Sequence, residues 1–272
     1  MQIGTIGIWR RHQEGVDGVA QIEGLGYGTL WVGGSPSLDQ ARAFLERSST
    51  LTVATGILNV WQHEPADVAA QRAGLMRAFA GRFLLGIGVG HPEATAEYES
   101  PLAKMTSFFD GLDAAPEPVP KDERVAAALG PKMLDLAARR SLGTHTYFIT
   151  PEHTGFARER VGPDALLAPE LAVVVEPDDE TARAIAREYA ALYLERSNYT
   201  NNLLRFGFTE RDVADGGSDR LIDAVVPHGS AQAVAEAVRA HLDAGADHVC
   251  IQPLGHGPSP VEDYRALADT LL

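Results

Sequence analysis

Apolar residues along this chain fall into two alternating patterns. Short apolar runs recur at Ile3 to Trp9, Thr29 to Val32, Leu51 to Ile57, Phe83 to Val89, Val125 to Leu129, His145 to Ile149, Leu171 to Val175 and His248 to Gln252. The runs Leu171 to Val175 and Phe83 to Ile87 are apolar at successive positions, as expected of parallel strands covered on both faces. Between the runs the spacing turns helical. Ala182, Ile185, Ala186, Tyr189, Leu192 and Tyr193 share one helical face, as do Ala231, Val234, Ala235, Val238 and Leu242. Asp178 and Asp179 precede the first of these helices as cap and first-turn acids, and Gly245 closes the second. The repeating unit is strand then helix, and eight units with right-handed crossovers predict a closed α/β (β/α)8 TIM barrel. The barrel is expected to occupy residues 1–272 as a single domain. Ser197 to Ala224 reads as an extra loop and helix inserted before the last strand. Within it the polar stretch Asn198 to Asn202 reads as a loop, either a lid or a subunit contact.

A doubly wound open sheet is the competing architecture, and it would carry G-x-G-x-x-G after an early strand. The nearest match, Gly86-Ile87-Gly88-Val89-Gly90-His91, has histidine at the last glycine position and lies in the fourth unit. The prolines at 116, 118 and 120 mark a surface loop between units four and five.

The composition, 45% hydrophobic and 22% charged, is that of a globular chain. A formal net charge of −14 argues against nucleic acid and anionic membrane as partners, so any anionic ligand must be held locally. One cysteine excludes an intrachain disulfide. The opening MQIGTIGIWRRHQEG reads as neither a secretory signal nor a membrane span, which gives a cytoplasmic expectation.

In a barrel, chemistry gathers at the strand C-terminal ends. Gly130-Pro131 opens a helix whose free amides face the loop, and Lys132 adds a charge. Thr150 to Thr154 has the same form, with His153 and Thr154 as donors, and equally fits an ordinary helix cap. Ser35 lacks the surroundings of an activated nucleophile. Nine histidines show no ligand spacing, so no metal is expected. His63, His145, His228 and His248 read as surface or hydrogen-bonded structural residues. His91 differs in following a strand end inside a glycine-rich loop.

Val53-Ala54-Thr55-Gly56-Ile57-Leu58-Asn59 and Gly81-Arg82-Phe83-Leu84-Leu85-Gly86-Ile87-Gly88-Val89-Gly90-His91 together resemble strands three and four of the luciferase-like monooxygenase superfamily. Gly26 to Val32, Ala127 to Leu134, Thr150 to Thr154 and Ala244 to Val249 extend the likeness toward the branch of oxidoreductases that uses coenzyme F420. The resemblance implies hydride transfer between that deazaflavin and a small organic substrate, in a homodimer. FMN with a monooxygenase activity is the alternative, and a non-catalytic flavin- or deazaflavin-binding protein is another. A sugar-phosphate isomerase or lyase would need a paired acid and lysine at strand ends, which the sequence lacks.

The resemblance places a non-prolyl cis peptide at Gly56-Ile57, with Ile57 against the ring system and Leu58 and Asn59 following. It assigns Gly88 to the cofactor site, and Gly90, His91, the Leu129-Gly130-Pro131 loop and the Thr150 to Thr154 loop with His153 and Thr154 to the ribityl and phosphate portion. Trp9, His12, Trp61 and His63 would line the substrate mouth. Many relatives carry an acid and a histidine after strand two; here that place reads Gly34-Ser35-Pro36. His91 stands where some relatives have an acid after strand four, and its expected role is proton transfer as hydride arrives.

Overall fold

The computed structural model describes residues 3–90, 100–255 and 260–272. His91 lies outside the described residues. Five strands lead the chain: β1 (Ile6–Arg11), β2 (Thr29–Gly33), β3 (Thr52–Thr55), β4 (Leu58–Asn59) and β5 (Phe83–Gly88). They are separated by helices α1 (Val19–Gly24), α2 (Leu38–Leu45) and α3 (Pro65–Ala78), and followed by α4 (Pro101–Ala114). The second half runs β6 (Arg124–Ala127), α5 (Pro131–Arg140), β7 (Gly143–His145), α6 (Pro151–Val161), β8 (Leu166–Leu167) and β9 (Glu170–Val175). Four helices come next, α7 (Asp179–Leu194), α8 (Ser197–Arg205), α9 (Glu210–Val213) and α10 (Asp219–Val225). The chain finishes with β10 (His228–Gly229), α11 (Ala231–Asp243), β11 (Val249–Pro253) and α12 (Val261–Leu271).

Every strand pairing is parallel, and the order is β10-β9-β11-β1-β2-β3-β5-β6-β7-β8, with β4 also on β5. The ring closes because β8 and β9 belong to one stave interrupted at Ala168-Pro169. On one side its amides reach the β7 stave, Leu166 to Leu142, Ala168 to Thr144 and Glu170 to Thr146. On the other side Cys250 of β11 donates to the Pro169 carbonyl, and Cys250 pairs with Glu170. The result is a mixed α/β barrel of TIM type. Outward side chains such as Ile8, Leu30, Phe83, Leu171 and Ile251 bury against the helices in the main core.

Several strand ends shift from the sequence expectation, as at β1, which starts at Ile6 and not Ile3, and two departures are larger. The sixth stave pairs over Gly143–His145, not His145 to Ile149. A Cβ at Gly143 would sit 1.9 Å from the Leu166 carbonyl oxygen, so glycine is what lets the two staves approach there. Beyond Thr146 the aromatic run leaves the ladder: Phe148 takes φ +51° and packs on Tyr193 of α7 and Tyr199 of α8. Its apolarity reports packing at the barrel mouth, not strand. The insertion is also more regular than expected, since Asn198 to Asn202 lie inside α8, where Tyr199 and Asn202 are buried. On α7 the helical face holds for Ala182, Ala186 and Tyr189, but Leu192 is 44% exposed. The Asp178 side chain caps α7 through the Thr181 amide at 2.9 Å, and Gly245 follows α11 at φ +106°.

Inside the ring, side chains stack in layers of four drawn from alternate staves. The strand registers put Trp31, Gly86, His145 and Cys250 in one layer. Trp31 stacks on His145 at 4.0 Å, its indole N–H donates to His248 Nε2 at 3.0 Å, and His248 Nδ1–H reaches the Gly4 carbonyl at 2.8 Å. The next layer toward the strand C-termini is Trp9, Gly56, Ala127 and Glu170.

Candidate active site

The strand C-terminal ends form a mouth whose floor is that upper layer. Trp9 points inward from β1, is 6% exposed, and donates from its indole nitrogen to the Gly56 carbonyl at 3.2 Å. It therefore belongs to the floor and not to the rim. The Gly56-Ile57 peptide bond is cis. A Cβ at Gly56 would lie 2.8 Å from Trp9 Nε1 and 3.2 Å from His145 Nε2, so two rings press against this backbone from within the barrel. Ile57 is half-buried, and its side chain rests on β5: a Cβ at Gly88 would lie 2.9 Å from Ile57 carbons and 3.0 Å from Ala127 Cβ.

Leu58 faces outward into the main core, whereas Asn59 is buried near the mouth. Asn59 Oδ1 accepts from the Trp61 amide at 3.0 Å, and its Nδ2 lies against Gly90, which turns at φ +59°. The Trp61 indole N–H donates to the Val89 carbonyl at 2.9 Å, and the Lys104 ammonium of α4 sits 4.9 Å from its ring. His12 donates from Nε2 to the Gly34 carbonyl at 3.0 Å, tying the ends of β1 and β2. His63 is half-buried, and partial loss of water lowers its pKa.

A second group forms across the mouth. Gly130 is the N-cap of α5 with no capping side chain, and the space where its Cβ would stand is open. Pro131 occupies the first helical position, so the first turn presents backbone amides toward the mouth with no side chain in the way. Leu129 and His153 are joined: His153 Nε2–H donates to the Leu129 carbonyl at 2.9 Å. That bond leaves Nδ1 as a buried lone pair, and burial holds the imidazole neutral with a pKa of about 4. Thr150 stands at the N-cap of α6 without a side-chain cap bond, and the Glu152 carboxyl in the first turn is held below its usual range. Thr154 is fully buried, with its hydroxyl against His241 Nδ1 at 2.8 Å. Both His153 and Thr154 thus hold α6 in place, while Gly130 and Pro131 face open space.

Glu170 carries no motif in the sequence, yet it stands beside this floor. It is 2% exposed on the inward face of β9, and burial lifts its pKa to about 8. The signal was present in Pro169-Glu170-Leu171-Ala172-Val173-Val174-Val175, a carboxylate opening an apolar run with no basic neighbour. A cavity of about 460 Å³ lies at the other end of the barrel, between Lys121, Ser141, Leu142 and Pro163. Those residues precede the strands, on the face that in such barrels serves stability. Among the described residues no group of three or more His, Cys, Asp or Glu is arranged to hold a metal ion. No helix among them is long and apolar enough to cross a membrane.

This closed barrel, with its floor drawn from β1, the end of β3, β6 and β9, has the luciferase-like fold. The family model for luciferase-like monooxygenases matches residues 5–108, the stretch carrying Trp9, Gly56 to Asn59 and Gly88 to Gly90. Among solved structures, an F420-dependent secondary alcohol dehydrogenase in complex with an F420-acetone adduct superposes with a TM-score of 0.77 at 16% identity, over 99% of this chain and 98% of that one. The coenzyme F420-dependent tetrahydromethanopterin reductase of Methanopyrus kandleri gives 0.74 at 14% identity, over 98% of each chain. The oxygenating constituent of 3,6-diketocamphane monooxygenase from Pseudomonas putida, in complex with FMN, gives 0.69 at 14% identity, over 97% and 96%. No protein of curated function matches the chain by sequence.

Proposed function

We propose that this chain is an oxidoreductase of the luciferase-like class that binds coenzyme F420 and transfers hydride between it and a small organic molecule. The observation that carries the reading is the mouth itself. Glycines at 56 and 88 leave a low platform at Ile57, and the uncapped N-terminus of α5 opens toward it. A planar ring needs the first and a phosphate the second. The donor set also suits a chain of net charge −14, because backbone amides at a helix start answer an anion without adding cations.

In this reading Ile57 and Gly88 back the ring, and the Asn59 amide meets its polar edge. The amides following Gly130 hold the phosphate, with Leu129 fixed beneath by His153. Trp9 and His12 shape the substrate side, and Trp61, held by the Val89 carbonyl, walls the space beside the α4 helix. A bound deazaflavin supplies a two-electron hydride carrier that activates oxygen poorly. The protein's contribution is to orient that carrier, exclude water from the floor and keep it uncharged. His145 and His248 serve that neutrality, since burial lowers their pKa values to about 3 and about 4.

The test is titration of the purified protein with F420 and with FMN, followed by absorbance and calorimetry. Saturable F420 binding with turnover supports the reading. FMN binding with no F420 binding overturns it in favour of a monooxygenase, and binding of either without any turnover favours a cofactor-holding protein. The same reading makes the catalytic unit one domain acting as a homodimer, which light scattering checks.

A further inference from the structure

The layer that carries Trp9 and Gly56 contains one group with a transferable proton. Glu170 completes that layer from the opposite stave, and its side chain lies on the inward face of β9. Its Oε1 accepts from the Tyr189 hydroxyl at 3.4 Å, while Oε2 is buried without a hydrogen-bond partner among the described residues. The Tyr189 hydroxyl lies 3.0 Å from that of Tyr193, one helical turn along α7. Tyr193 is half-buried, stacks on Phe148 at 4.7 Å, and has the Arg196 guanidinium 5.8 Å from its ring. A line of three hydroxyl-bearing groups therefore leads from the barrel floor to the half-buried Tyr193 of α7.

We propose that Glu170 is the proton donor of this site, its bare Oε2 serving the floor, and that Tyr189 and Tyr193 return the proton from solvent. The proposal rests on the oxidoreductase reading above. A buried carboxyl with one oxygen bonded and the other bare is stable only when neutral, because an isolated charge there would lack compensation. Burial outweighs the two groups that favour ionisation, the Tyr189 hydroxyl and the Arg11 guanidinium of β1. The remaining groups facing it are Cys250 of β11, Tyr147 beyond β7, Tyr193 of α7 and Tyr199 of α8, all held in their neutral forms by burial. Tyr147 stands edge-on to Trp9 at 6.5 Å, and burial raises its phenol above the usual range.

The step balances on a substrate with a polar double bond. The substrate carbon gains hydride from the reduced cofactor, and the π pair moves to oxygen or nitrogen. That atom takes the Glu170 proton as the carboxyl O–H bond breaks, leaving its electron pair on the carboxylate. The substrate is reduced and the cofactor oxidised. Tyr189 then passes a proton to Oε1 while accepting one from Tyr193, and rotation of the carboxyl restores the starting state. A donor with a pKa of about 8 is charged with its proton at neutral pH yet able to release it.

Two measurements test this on the intact chain. Infrared titration of the cofactor-free protein reads Glu170 alone. A protonated-carboxyl band present at pH 7 and absent from Glu170→Gln is expected, and a spectrum in which the two proteins do not differ overturns the assignment. For the reaction, the reduced F420-loaded protein is offered cyclohexanone, cyclohexenone and 1-pyrroline. Glu170→Gln is expected to keep the wild-type F420 dissociation constant while kcat falls at least 100-fold and the alkaline limb of the wild-type pH profile disappears. Tyr189→Phe is expected to slow turnover about tenfold with Glu170 still protonated. Unchanged kcat in Glu170→Gln overturns the proposal, as does wild-type protein that binds F420 but reduces none of the three probes. Wild-type protein that binds neither F420 nor FMN overturns the oxidoreductase reading instead, with the infrared result still deciding the protonation of Glu170.

Discussion

At the scale of single residues, the mouth depends on side chains that are missing as much as on those present. Gly88 is the sharpest case, because the Ile57 side chain occupies the space a Cβ would need. Gly88→Ala should push Ile57 off its platform. The cofactor dissociation constant is then expected to rise about tenfold, about 1.4 kcal/mol, with the fold retained. Calorimetric titration of wild type and variant against F420 checks this, and equal constants would remove Ile57 from the ring site. Much at this scale was legible in advance: the Gly56, Gly88 and Gly130 positions stood out as glycines at strand ends. Glu170 did not, because a lone acid at the head of a strand carries no motif. Its meaning comes from Trp9 and Gly56, residues 161 and 114 positions away in the chain, sharing its layer.

At the scale of elements, caps and most of the helical periodicity follow from near neighbours, although Leu192 of α7 is exposed despite its apolar spacing. The Asp178 cap, the Gly245 stop and the apolar face of α11 depend on neighbours within a turn or two. The Ser230 hydroxyl accepts from the Ala233 amide at 3.2 Å and starts α11, which buries Val234, Ala235 and Val238. Ser230→Ala should cost about 1 kcal/mol, read as a lowered urea midpoint with an unchanged slope. The sixth stave was misplaced for the opposite reason. His145 to Ile149 has the composition of a strand, yet only its first residue pairs as one, and Phe148 packs on Tyr193 and Tyr199 from α7 and α8. Those tyrosines lie about 50 residues downstream, beyond any window of local periodicity. The helix over Asn198 to Asn202 was hidden likewise, its run of polar residues masking the buried face made by Tyr199, Asn202 and Leu203.

For the whole molecule, burial of ionisable groups sets the pH range of stability. His145, His153, His241 and His248 are held neutral with pKa values of about 3, 4, 4 and 4, in each case chiefly through loss of water. The unfolded chain protonates these groups near pH 6.5, so it binds more protons than the native state as pH falls below that value. Stability is therefore present above pH 6.5 and declines toward pH 4. Glu170 acts in the other direction: its raised pKa gives stability that is full below pH 4.5 and lost as pH rises through about 8. Thermal unfolding should give a maximum near pH 6.5, a steep acid limb and a shallow alkaline one. Glu170→Gln should flatten the alkaline limb and leave the acid limb in place, as scanning calorimetry across pH 4 to 9 would show.

The seam of the ring has a temporal meaning as well. β1 pairs with β11, and the His248 imidazole bonds the Gly4 carbonyl across 244 positions of sequence. A chain emerging from the ribosome can form its early strand-helix units one by one, but the ring stays open until β11 has been made. Until then Trp31 lacks its histidine partner at 248 and the Gly4 carbonyl has no donor from that ring. Completion is thus a late, long-range event that the local units cannot anticipate, and until it happens the nascent barrel is an arc with unpaired strand edges.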